Sequence, residues 1–95
     1  MLPLNRVPTH PGVILNEHFL EPLDLTQVAL AKHLGIPVQR VNEIVRGKRG
    51  ISPQTAWLLA HALETTPEFW IHLQAQHDLA MTRPDQEIES LRQAS

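Results

Sequence analysis

Apolar residues recur three and four positions apart along most of this chain, in stretches separated by prolines and glycines. This spacing predicts helices, because residues three and four apart lie on the same face of a helix. No stretch alternates apolar and polar residues over a useful length, so no strand is expected. The sequence therefore predicts an all-α domain, with a first helix ending before Pro22 and further helices at 27–34, 38–46 and 67–81. Another helix, the fourth, is predicted to start at Ser52-Pro53 and to carry Ala56, Leu59, Ala60 and Leu63 on one face.

The chain has 95 residues, of which 42% are hydrophobic and 19% charged, as in one globular domain. Within it we expect an arm at 1–10, a helix-turn-helix at 26–47 and a C-terminal helix at 67–81. The remaining segment, 82–95, contains only two large apolar residues, which is typical of a weak helix or a disordered end. The domain is thus a bundle of five helices, or of six if this tail is helical.

Residues that favour helix ends stand at the borders of these stretches. Thr26, Ser52 and Thr66 are predicted N-caps, because their hydroxyl oxygens can accept hydrogen bonds from the first free backbone amides. Before the first helix, Thr9 or His10 is expected to serve the same purpose. Gly35 follows the second helix, where a glycine readily takes the left-handed conformation that ends a helix.

The second and third predicted helices are joined by a short turn, which is the arrangement of a helix-turn-helix. In a twenty-residue window starting at Gln27, small and aliphatic residues stand where the two helices must cross and pack on the core. These residues are Leu30, Ala31, Leu34, Gly35, Ile36, Val41 and Ile44. Any tight helical hairpin satisfies part of this pattern, so a purely structural hairpin remains the alternative.

The outward residues of the third helix have the chemistry to read DNA. Glutamine and asparagine pair with adenine, arginine with guanine, and glutamate accepts from cytosine. The residues expected over base edges are Gln39, Arg40, Asn42 and Glu43. Those expected to meet phosphates, at the start of the second helix and after the third, are Gln27, Arg46, Lys48 and Arg49.

The charge distribution agrees with this interpretation although the net charge is −2. Residues 27–49 carry five cations against one carboxylate, a net charge of +4, whereas 1–26 sum to −2 and 50–95 to −4. A compact basic centre between acidic flanks can contact phosphate locally. A solvated basic helix face would give the same numbers, so charge alone leaves the choice open.

Other kinds of chemistry find little support. There is no cysteine, which excludes disulfides and thiolate metal sites and fits a reducing compartment. The six histidines form no chelating pair; His72 and His77, five apart, lie about 140° apart around a helix. No catalytic grouping, signal peptide or membrane-spanning stretch is recognisable. We therefore expect a cytoplasmic protein that is not an enzyme and has no metal or cofactor.

A homodimer is expected because one hairpin reads only about one half-site of a two-fold operator. The predicted contact lies on the fifth helix at Phe69, Trp70 and Leu73. Two adjacent aromatic residues point about 100° apart on a helix, so one of them can be left facing outward.

Taken together, these residues resemble a known family. The helix-turn-helix fits the pattern of phage-repressor-like (lambda-repressor-like) regulators, and the surrounding residues resemble the HigA-type antitoxins, or plasmid-maintenance antidote proteins. The matching stretches are 8–12, Ala29-Leu30-Ala31 with Leu34-Gly35, 41–45 with Gly47-Lys48-Arg49, and 67–70 with Leu73-Gln74 and Asp78-Leu79. The chain departs from the family pattern at Val13, Glu64 and His77, which concerns details of the first helix and of the turn after the fourth.

The resemblance implies an antitoxin that neutralises a partner toxin, typically a RelE-like mRNA-cleaving enzyme, and represses its own operon at a palindromic operator. Toxin binding is expected away from the third helix, at the N-terminal arm and first helix, so that the DNA-reading residues stay free. Two alternatives remain open: a solitary repressor without a toxin, and a helical adaptor whose hairpin is only structural.

Overall fold

The computed structural model describes residues 8–92. Most of the predicted arm at 1–10, and the last three residues of the tail at 82–95, lie outside this range. The helices are α1 (Pro11–Leu15), a π-helical segment that continues it (Asn16–Leu20), α2 (Gln27–Leu34), α3 (Val38–Val45), α4 (Pro53–Leu63) and α5 (Pro67–Met81). The all-α prediction with five helices is confirmed, whereas residues 82–92 contain no sixth helix.

The helix ends follow the predicted capping residues. The Thr26 hydroxyl accepts from the Ala29 amide at 3.0 Å. Ser52 and Thr66 cap α4 and α5 in the same way, at 3.2 and 3.1 Å. Gly35 ends α2 with a φ of 73°, in the left-handed region that favours glycine. Local hydrogen-bonding chemistry thus fixes the start of three helices and the turn inside the hairpin.

The first helix differs from the single α-helix that the spacing predicts. After Leu15 the backbone hydrogen bonds join residues that are five positions apart instead of four. The Glu21 amide, for example, donates to the Asn16 carbonyl at 2.9 Å. Because a π-helical turn closes over five residues, Leu15 and Leu20 both face the core, with 1% and 3% of their surfaces exposed. The wider turn therefore lets this segment bury two leucines that a regular α-helix would separate.

The core is formed by residues from every helix. Its buried members are Leu15, Leu20, Leu30, Ala31, Val41, Ile44, Ile51, Ala56, Leu59 and Trp70. Trp70 is completely buried, and its indole N–H donates to the Thr65 hydroxyl at 2.8 Å, so its one polar atom is satisfied. The hairpin of α2 and α3 thus rests on a continuous apolar core that fixes its position.

Glu64, one of the departures from the family pattern, ends α4 in the left-handed conformation with a φ of 56°. The turn between α4 and α5 therefore keeps a geometry suited to glycine, at a cost of about 1 kcal/mol for a residue with a side chain. None of the helices in residues 8–92 has the length and apolar character needed to cross a membrane.

Candidate nucleic-acid interface

The helix-turn-helix consists of α2, the turn 35–37 and α3. The buried residues of α3 are Val41 and Ile44, and those of α2 are Leu30 and Ala31. The small Ala31 lies 2% exposed in this packing, as expected for a residue where two helices approach closely. The outer face of α3 consequently presents the polar residues that the sequence singles out, with Val38 exposed at the start of the helix.

The predicted base-reading residues lie together on α3. Gln39 is exposed, and Arg40, Asn42 and Glu43 are partly exposed. A shallow hollow on this face is lined by Pro37, Gln39, Arg40, Glu43 and Arg49. The structure therefore brings three of the four predicted base-reading residues next to Arg49, which belongs to the basic turn after α3 (residues 46–50).

Asn42 and Gln27 are joined to each other. The Asn42 side-chain amide donates to the Gln27 side-chain oxygen at 3.1 Å, which links α3 to the first residue of α2. This bond occupies the acceptor of Gln27, whereas its amide nitrogen is the donor that suits a phosphate oxygen. Two residues with separate predicted roles thus form one unit that fixes the relative placement of the two helices.

The basic turn after α3 is shaped by Glu43. Its backbone carbonyl accepts from the amides of Lys48 and Arg49 at 2.8 and 3.2 Å. Its carboxylate accepts from the Arg49 guanidinium, with Nε and Oε1 2.8 Å apart. Sequence reasoning missed this ion pair, because the two residues are six apart and meet only where Gly47, with a φ of 73°, reverses the chain.

The other two cations of the turn, Arg46 and Lys48, are exposed. The chain that follows is held by α5, because the Gln74 side-chain oxygen accepts from the Ile51 amide at 2.7 Å. Gln74 in turn donates to the Asp78 carboxylate at 2.9 Å. The basic turn is therefore fixed at both ends, by Glu43 and by Gln74.

Two histidines, His10 and His77, pack beside the basic turn of the candidate interface. The His10 Nδ1 atom accepts from the Gly12 amide at 2.9 Å and so caps α1. The His10 ring packs edge-on against His77, with centroids 5.0 Å apart, and also lies against Gly47. The His77 Nδ1 atom is 2.9 Å from the Pro8 carbonyl oxygen. This cluster connects the start of α1, the end of α5 and the basic turn.

Partial burial and, to a smaller extent, the neighbouring His77 lower the pKa of His10 below its ordinary value of 6.5, while Asp78 opposes the shift. As the pH falls, His10 is therefore protonated more readily in the unfolded chain than in the folded one. We expect the His10 contribution to stability to be complete above pH 6.5 and to be lost as the pH falls below it. Thermal unfolding over a pH series should show this loss in the native chain.

His10→Asn is the matched variant, because asparagine can cap the helix without titrating in this range. The difference in unfolding free energy between the two proteins should change with pH below 6.5. Parallel stability curves would contradict the expectation. Among residues 8–92, no three histidine, aspartate or glutamate side chains cluster in a way that could hold a metal ion.

The predicted dimer contact needs a correction. Trp70 is 0% exposed, so its side chain is part of the monomer core and not of a contact surface. Phe69, 38% exposed, is the outward member of the aromatic pair. It lines an apolar groove together with Ile14, His18, Phe19 and Leu73. Phe69 and Leu73 stay the predicted contact residues, without Trp70.

The comparisons with known proteins agree with this geometry. A sequence profile of the helix-turn-helix family matches residues 18–70, which include the predicted motif at 26–47. Antitoxin HigA-1 of Vibrio cholerae is 40% identical over 78 residues, covering 82% of this chain and 73% of that protein. Virulence-associated protein I of Dichelobacter nodosus is 40% identical over 84 residues, covering 87% and 78%.

Among solved structures, an addiction module antidote protein of the HigA family from Coxiella burnetii is 45% identical with a TM-score of 0.75, covering 80% of this chain and 83% of that one. This chain belongs to the HigA family of antitoxins. Pseudomonas aeruginosa HigA, solved with the higBA promoter, is 38% identical to this HigA-family chain with a TM-score of 0.82, covering 90% and 99%. The family consists of DNA-binding regulators, which confirms that the chain is not an enzyme.

Proposed function

We propose that this chain is the antitoxin of a toxin–antitoxin module, and that it represses its own operon by inserting α3 into the major groove of operator DNA. The observation that carries this proposal is the exposed polar face of α3 beside a basic turn that is held in place. Pseudomonas aeruginosa HigA bound to the higBA promoter and antitoxin GraA in complex with its operator support the extension to this chain.

The proposal assigns two kinds of contact. Gln39, Arg40 and Asn42 lie over base edges, because they occupy the exposed side of α3. Gln27, Arg46 and Lys48 meet the phosphates on either side. The Asn42 to Gln27 hydrogen bond then couples one base contact to one phosphate contact.

These two groups should respond differently to mutation. Gln39→Ala is expected to cost about 1–3 kcal/mol on the preferred site and to relax discrimination at one position in each half-site. Lys48→Ala should instead weaken binding to all duplexes by a similar factor. Fluorescence anisotropy with matched and single-mismatch duplexes separates the two effects, and Arg83→Ala, an exposed cation beyond α5, is the control. Sequence preference that survives a Gln39, Arg40 and Asn42 triple alanine change would favour the structural-hairpin alternative.

We further propose that the chain acts as a homodimer, with Phe69 and Leu73 in the contact. The support is the apolar groove that these residues line, since two-fold operators require a two-fold protein. Sedimentation at micromolar concentration without DNA should show a dimer. Phe69→Asp should yield monomers, whereas Leu79→Asp, at another exposed position of the same helix, should not.

The partner toxin is proposed to be a RelE-like mRNA-cleaving enzyme that binds at the N-terminal arm and first helix. The segment carries three exposed carboxylates towards its end, Glu17, Glu21 and Asp24, and these suit a basic partner. Affinity capture from the native host with mass spectrometry should identify the toxin. Calorimetry with Glu17→Lys and Glu21→Lys should then show weakened binding.

The result of the capture experiment also decides between the two regulatory hypotheses. Unchanged affinity after both charge reversals and after deletion of residues 1–7 would overturn the placement of the toxin. Capture of no toxin, together with operator binding, would favour the solitary repressor.

A further inference from the structure

Glu43 and Arg49 are predicted DNA contacts whose side chains are joined to each other, as those of Asn42 and Gln27 are. The Arg49 Nε atom lies 2.8 Å from Glu43 Oε1, and their side chains are 52% and 32% exposed. The Glu43 carbonyl additionally accepts from the amides of Lys48 and Arg49. Both the backbone and the side chain of Arg49 are therefore fixed by one residue of α3.

The ion pair determines where the Arg49 guanidinium lies. It shares the hollow on the outer face of α3 with Gln39, Arg40 and Pro37. Pro37 is the N-cap of α3, and Gln39 and Arg40 lie in its N-terminal half, which contacts base edges in helix-turn-helix proteins. If Arg49 contacted only phosphates, we would expect it at the rim of the interface with Arg46 and Lys48, and not in this hollow.

The geometry of the ion pair also leaves the terminal nitrogens of Arg49 free to donate to a guanine. Glu43 accepts from Nε, on one edge of the planar guanidinium. The two terminal nitrogens, which bind guanine O6 and N7 in the bidentate contact, are not part of this bond. Holding the guanidinium in advance also reduces the conformational entropy lost when it binds.

Glu43 itself is badly placed to read a base. To accept from a cytosine amino group, its carboxylate would have to leave Arg49 and enter the groove as an anion near phosphates. Its side chain instead lies in the same hollow as two arginines. Its observed bonds favour the orientation of Arg49 over direct contact with DNA.

We propose that Arg49 reads a guanine in each operator half-site and that Glu43 is the positioning residue that orients its guanidinium. This assignment rests on the proposed function, because it requires that α3 enters the major groove. It replaces the roles expected from the sequence, in which Glu43 reads a base and Arg49 meets a phosphate.

The test is selection of preferred sites from a randomised duplex pool by the full-length chain and its variants. The native chain should select a motif with a guanine in each half-site. Arg49→Lys should reduce the preference at that base pair on the order of tenfold or more, because lysine keeps the charge but not the bidentate fork. The slope of log affinity against log salt should stay unchanged, since no charge is lost.

Glu43→Gln should weaken the preference at the same base pair, and it should raise affinity for random duplexes because an anion near the phosphates is removed. The double variant should lose little more preference than Arg49→Lys alone, since both changes act on one contact. Glu87→Gln, an exposed carboxylate beyond α5, is the charge-matched control and should change neither property. Circular dichroism melting confirms that each variant is folded.

The possible outcomes separate this assignment from the proposed function. Loss of a cytosine preference at a different base pair in Glu43→Gln would make Glu43 a direct reader and overturn the assignment. Unchanged preference in Arg49→Lys would make Arg49 a phosphate contact, with the same consequence. In both cases DNA binding by α3 would stand, whereas failure of the native chain to select any motif would overturn the proposed function as well.

Discussion

Replacing Gly12 by alanine is expected to destabilise the fold by about 3 kcal/mol or more. A Cβ atom at this position would lie 1.7 Å from the Ile44 carbonyl oxygen, which belongs to the backbone of α3 and cannot rotate away. The start of α1 would have to separate from α3, and core packing around Leu15 would be lost with it. Urea denaturation should show a large decrease in the midpoint.

Gly35→Ala is the comparison that separates crowding from backbone conformation. Nothing lies within 4 Å of a Cβ at Gly35, but its φ of +73° is unfavourable for alanine. We expect a loss of about 1 kcal/mol there. Equal losses in the two variants would show that Gly12 is needed for its conformation and not for the contact with α3.

Operator binding is expected to depend steeply on salt. If each subunit neutralises about four phosphates, the slope of log affinity against log salt for the dimer should be near −7. A fourfold rise in salt would then reduce affinity about ten-thousandfold. Lys48→Ala removes one cation from each subunit and should make the slope shallower by about two.

Anisotropy titrations of one duplex at several salt concentrations measure this slope. Arg83→Ala removes a cation that lies beyond α5, so its slope should match that of the native chain. Affinity that does not change with salt would contradict both the proposed phosphate contacts and the role of the basic turn.

The features that could be predicted from the sequence are those that depend on neighbouring residues. Thr26, Ser52 and Thr66 each cap the helix that directly follows, so three helix starts could be located before the structure was known. Gly35 marks the hairpin turn for the same reason, because its backbone conformation is a local property. The residues of the proposed DNA-reading face could be predicted from the periodicity of α3.

Features that depend on the three-dimensional path of the chain could not be predicted. Helical geometry predicts that one of two adjacent aromatic residues faces outward. Only the packing shows that Phe69 is the outward residue and that Trp70 is buried. The ion pair of Glu43 with Arg49 depends on how the basic turn folds back. The contact of His10 with His77 joins distant parts of the chain, so no local pattern signals it.

Because Gly12 packs closely against the Ile44 carbonyl, α1 cannot move at this point without displacing α3. Under the proposed function, a ligand that shifts α1 would also change the free energy with which α3 binds DNA. Thermodynamic linkage then requires that operator DNA changes the affinity for that ligand by the same factor. For the proposed toxin and operator sites the coupling is therefore reciprocal, and it can be measured from either side.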